Sequence, residues 1–86
     1  MGVKKKQREE DDAPTGVHCR LDELLAERDM TLTRLSELVG VSIVNLSVLK
    51  NDRARAIRFS TLIAICQALD CEIGELLVRA DRGVTS

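Results

Sequence analysis

The chain has 86 residues, 44% of them hydrophobic, with thirteen Lys+Arg against fourteen Asp+Glu for a formal net charge of -1. That length suits one small domain, which buries about 60–65% of its unfolded surface and is marginal alone or shares stability with a partner chain. No apolar run reaches the ~20 residues of a membrane helix, no signal peptide is visible, and Lys6 spoils a myristoylation motif, so the expectation is a cytoplasmic protein without membrane contact.

Three cysteines cannot all pair within one chain and fit a reducing compartment. Phe59 is the only aromatic residue, which disfavours single-stranded nucleic acid, where bases stack on aromatic side chains. Double-stranded DNA stays open.

In chain order, residues 1–16 read as a charged, disordered tail. Lys4, Lys5, Lys6 and Arg8 meet Glu9, Glu10, Asp11 and Asp12, and nothing apolar recurs at a regular period. The basic half is either solvated or a minor-groove arm whose field the acidic half partly cancels. Residues 80–86 read as a second flexible tail. Between them, 17–79 reads as five short helices and no strand.

The first helix carries Val17, Leu21, Leu24, Leu25 and Arg28 on one inward stripe. Thr31 caps the second, whose inner face is Leu35, Leu38 and Val39 and whose end is Gly40. Ser42 caps the third, from about Ile43 to Lys50, with Leu46 and Leu49 inward and Asn51-Asp52 as its stop. An arginine-rich loop (Arg53, Arg55, Arg58) leads to Ser60, expected to cap a fourth helix with Leu62, Ile65, Cys66 and Leu69 inside. After a break at 70–72, Ile73, Leu76 and Leu77 line a last short helix.

Two short helices joined by a Gly-containing turn are a helix-turn-helix signature. The charges agree with it. Between Leu32 and Phe59 lie Arg34, Lys50, Arg53, Arg55 and Arg58 against Glu37 and Asp52, whereas 70–81 is mainly acidic. The near-neutral total hides a basic middle suited to phosphates, or else a merely solvated surface.

The stretch from Met30 to Ser42, with Leu35, Gly40, Val41 and Ser42 at core and turn positions, resembles the Xre (Cro/CI-type) helix-turn-helix family. Residues 51–62 and 65–77 resemble a subgroup of short, single-domain bacterial and phage regulators. The resemblance spans roughly residues 20–79. It implies an all-α, compact five-helix Cro/CI-repressor-like domain that binds double-stranded DNA as a regulator, repressor or activator.

In that fold the third helix lies in the major groove and the second braces it across the backbone. The resemblance then implies base reading by Ile43, Val44, Asn45, Ser47 and Val48. Asn45 is suited to adenine and the aliphatics to thymine methyls. It implies phosphate contacts from Thr31, Thr33, Arg34, Ser42, Lys50, Asn51, Arg53, Arg55 and Arg58. A homodimer on a palindromic operator follows, since one helix reads too little sequence alone. Ile73, Leu76, Leu77 and Val78 are its candidate surface.

Two departures stand out. Leu32 and Ile43 occupy positions after the caps where the family often carries glutamine. Ile43, Val44 and Val48 form an apolar group on a face expected to be polar. Thymine readout, a protein-docking face of antitoxin-like type, and a rotated helix that buries some of them are the three readings.

Other chemistry finds little support. His18, Cys19, Cys66 and Cys71 are zinc-type ligands, but no paired C-x-x-C appears and His18 and Cys19 project about 100° apart on a helix. No metal or other cofactor is expected. The cysteines read as small buried apolar groups, with a thiol-based sensor as the sharper alternative. No Ser-His-Asp set, paired carboxylates or Gly-rich phosphate loop can be assembled, which argues against an enzyme.

Overall fold

The computed structural model describes residues 15–80; most of the expected tails 1–16 and 80–86 lies outside the described residues. The elements in order are β1 (Val17–Cys19), α1 (Leu21–Glu27), α2 (Leu32–Val39), α3 (Ile43–Lys50), α4 (Phe59–Leu69), α5 (Ile73–Leu76) and β2 (Leu77–Arg79). The five expected helices are present, but the fold is not strictly all-α.

The strands are the main correction. β1 pairs antiparallel with β2, with Val17 opposite Arg79, His18 opposite Val78 and Cys19 opposite Leu77. The Ala80 N–H donates to the Gly16 carbonyl at 2.9 Å and extends the ladder by one bond. Val17, expected at the head of the first helix, is therefore in a strand and exposed, and Leu77 opens β2 instead of closing a helix. Gly16, at φ 86, turns the chain into β1, a conformation that favours glycine. α1 begins only at Leu21, with Asp22 and Glu23 placed favourably in its first turn.

Three helices end alike. Asp29, Asp52 and Asp70 each take a left-handed conformation, at φ 53, 64 and 53. The next residue's N–H then returns five residues back: Met30 to Leu25, Arg53 to Val48 and Cys71 to Cys66, at 2.9, 2.9 and 3.0 Å. This is the Schellman termination, built on aspartate, which tolerates left-handed geometry better than most side chains. Gly40 ends α2 at φ 73, as its sequence position implies.

The core lies between the helices. Leu21, Leu24, Leu35, Leu46, Ile65, Leu69 and Leu76 are essentially fully buried, with Leu25, Leu49, Leu62, Cys66 and Cys19 around them. Each such leucine contributes about 1.5–3 kcal/mol of burial. Leu38 was expected inside and is instead 46% exposed, while Leu35 and the half-buried Val39 face inward. Arg28 serves the core differently from an apolar residue. Its Nε donates to the Leu69 carbonyl at 2.6 Å and its guanidinium to the Asp70 carbonyl at 3.2 Å, satisfying the end of α4 with positive charge. α4 starts at Phe59 with Arg58 at its N-cap and no side-chain cap bond, so Ser60 lies inside the helix.

Candidate nucleic-acid interface

Two side-chain caps fix the start of α2 and α3. The Thr31 hydroxyl accepts the Arg34 N–H at 3.0 Å, and the Ser42 hydroxyl accepts the Asn45 N–H at 3.1 Å. Each satisfies one of the helix's orphan donors, and each stabilises by about 1 kcal/mol. The chain turns by 116° between α2 and α3. The Ser36 hydroxyl donates to the Val41 carbonyl at 2.5 Å and ties the turn to α2. Nothing in the sequence marks Ser36 for this role, because it depends on how the turn folds back.

Leu46 and Leu49 anchor α3 to the core, so its opposite side faces out. Val44 is 71% exposed, Ile43 43% and Val48 38%; Asn45 is exposed and Ser47 half-buried. This overturns the rotated-helix reading, since none of the three aliphatics belongs to the core.

Beside α3 runs an open groove of about 650 Å³. It joins the turn (Gly40, Val41, Ser42), one flank of α3 (Asn45, Val48, Leu49), the loop 53–58 and Thr61 of α4. Ser42, Asn45, Val48, Arg53, Arg55 and Arg58, predicted from distant places in the sequence, share this groove. No lining residue is acidic. The two carboxylates of the basic stretch are engaged elsewhere: Glu37 meets Arg34 at 3.3 Å, and Asp52 faces β1.

Other predicted residues lie apart from the groove. Thr31, Thr33 and Arg34 stand at the start of α2, exposed. Lys50 and Asn51 are at the far end of α3, where the Lys50 ammonium lies 3.6 Å from Asp22 of α1. Lys50 is half-buried and Asp22 exposed, so solvent screens the pair and keeps it weak.

Asp52 holds the far end of α3 to the sheet. One carboxylate oxygen accepts the Cys19 N–H at 2.7 Å and the other lies 2.9 Å from His18 Nδ1. The Asp52 hydrogen bond raises the His18 pKa above its ordinary value, against partial burial, with Glu23 3.6 Å away adding to it. At Asp52, burial acts upward, but His18 and the Cys19 N–H outweigh it and hold the carboxyl below its usual range. Nothing in the sequence marks His18 for this role, because its partner is 34 positions away.

Cys19 and Cys66 are buried, Cys71 is half-buried, and all three are free thiols. Burial pushes Cys19 and Cys71 up to about 11, away from the reactive thiolate. Among the described residues no cluster of His, Cys, Asp and Glu side chains could hold a metal ion, and no single helix is long and apolar enough to cross a membrane.

A family model for the Cro/C1-type HTH DNA-binding domain matches residues 20–82, most of the chain. The chain belongs to the Cro/C1-type helix-turn-helix family. This Cro/C1-type domain is also 56% identical over 57 residues to a protein of Bacillus subtilis (strain 168) named as an uncharacterized HTH-type transcriptional regulator, YozG. The match covers 66% of this chain and 68% of the relative. No solved structure matches significantly. In this Cro/C1-type domain, α2 and α3 are the helix-turn-helix pair and the family match includes all five helices.

Proposed function

We propose that this Cro/C1-type domain is a sequence-specific transcriptional regulator that places α3 in the major groove of double-stranded DNA. One observation carries the assignment: the exposed face of α3 adjoins a groove lined by three arginines and no carboxylate. Asn45, Ser47, Ile43, Val44 and Val48 read base edges. Arg53, Arg55 and Arg58, with Ser42, Lys50 and Asn51, hold phosphates around α3, and Thr31, Thr33 and Arg34 do so at the start of α2.

The active species is a homodimer on a palindromic site, its half-sites about one helical turn apart. Leu76 is not available for the dimer contact, since it is fully buried, and of the apolar residues expected there only Ile73 is well exposed.

The test is fluorescence anisotropy after selection from a randomised duplex pool, with a salt titration. A palindrome with a steep salt slope supports the assignment. Asn45→Ala is expected to lose about 1–3 kcal/mol of discrimination at one base position. Arg53→Ala is expected to weaken all duplexes alike and to reduce the salt slope by about one unit. Equal losses on selected and random DNA for both variants would refute these roles.

The exposure of Ile43, Val44 and Val48 favours one second reading, a protein-docking face. Absence of duplex binding at ~50 mM salt, where phosphate contacts are strong, would select it.

A further inference from the structure

We infer that α3 reads thymine, and that Val44 and Val48 do so through its 5-methyl group. This rests on the DNA-reading assignment above and names what that surface recognises. At about 100° per residue, Leu46 and Leu49 set the buried side of α3, and Val44, Ser47 and Val48 form the crest opposite it. Val44 and Val48 are four residues apart, so their isopropyl groups stand about 40° apart and make one apolar ridge. Ser47 beside them is half-buried.

The charge around the ridge states what it meets. Val48 also lines the groove shared with Arg53, Arg55 and Arg58, and no acidic residue lines that groove. An apolar strip flanked by cations complements a surface whose edges are phosphates and whose floor carries apolar groups. In a major groove, the apolar group on a base edge is the thymine methyl. The edges of guanine, cytosine and adenine present donors and acceptors there. Pressing a branched aliphatic against those would strip them of water without replacing their hydrogen bonds. The ridge therefore favours thymine and penalises G·C pairs at the same positions. Asn45, on the groove side, supplies the polar complement for a neighbouring adenine.

The test removes the methyl and leaves the protein untouched. The duplex selected from the random pool is resynthesised with deoxyuridine for the half-site thymines, and both duplexes are titrated by anisotropy. Selected half-sites are expected to contain thymine, and affinity is expected to fall about fourfold for each contacted methyl. Val44→Ala is expected to narrow the difference between the two duplexes, and Val44→Ala with Val48→Ala, both at exposed positions, to bind them with nearly equal affinity. Equal affinity of the unaltered protein for both duplexes, or selected half-sites lacking thymine, would overturn the methyl readout alone. Absence of salt-sensitive binding to any duplex would overturn the DNA-reading assignment together with it, and leave the ridge as a protein-docking face.

Discussion

Substitutions at Asp52 separate what its carboxylate holds from what its backbone requires. The carboxylate takes the Cys19 N–H at 2.7 Å and faces His18 Nδ1 at 2.9 Å, while the backbone sits at φ 64. Charge-assisted bonds of this kind contribute about 1.5–3 kcal/mol, discounted to about 1–2 kcal/mol because the Asp52 side chain is 39% exposed. A Cβ in left-handed geometry costs a further ~1 kcal/mol unless aspartate, asparagine or glycine occupies the position. Asp52→Asn keeps an acceptor and tolerates the backbone, so it is expected to cost under about 1 kcal/mol. Asp52→Gly loses both bonds and costs about 1–2 kcal/mol. Asp52→Ala adds the backbone strain and costs about 2–3 kcal/mol. Urea titration monitored by circular dichroism resolves these steps, and each kcal/mol shifts Tm by about 4–8 °C in a domain of this size. A glycine variant as stable as the parent would refute the role of the carboxylate. Alanine equal to glycine would refute the strain.

The same pair sets a pH dependence. His18 has a raised pKa, so its contribution is complete below 6.5 and is lost as pH rises through the raised value. Asp52 has a lowered pKa, so its contribution is present above 3.8 and is lost as pH falls through the lowered value. Thermal melts across this range are expected to show the pair's support greatest between 3.8 and 6.5, and to flatten in Asp52→Asn; parallel profiles would count against the pair. Gly40→Ala meets no atom within 4 Å of the added Cβ, so its cost is that of φ 73 alone, about 1 kcal/mol by urea titration. A loss above about 3 kcal/mol would mean the turn is packed more tightly than it is here. An aromatic disulfide reagent at neutral pH is expected to modify all three thiols slowly until urea is added, since two are buried and Cys71 is held at about 11. One rapidly reacting thiol would support the sensor reading.

The helices and the turn were legible because their signals are local. Thr31, Ser42 and Gly40 act where propensity places them, and Leu62, Ile65, Cys66 and Leu69 are buried as their spacing implies. The strands were not legible. Three residues are too few for an alternation, and the Val17–Leu21 spacing imitates one helical turn. Leu38 satisfies the helical period but falls at the margin of the stripe, so periodicity alone could not place it outside. At the interface, the residue types of the groove could be predicted, but not that the loop 53–58 folds back beside the helix it follows. The Asp52–His18 link is a contact between distant segments and leaves no trace in composition.

The strand pair has a consequence for how the chain folds. It joins positions roughly sixty residues apart, whereas the helices and their terminations use neighbours within five. Long loops are entropically costly to close before other contacts hold their ends together. The helical elements are therefore expected to form before the seam between β1 and β2 closes, an order that pulsed amide exchange during refolding would check. Because Asp52 fastens that seam to the end of α3, a chain in which the seam is not yet closed also lacks one anchor of α3.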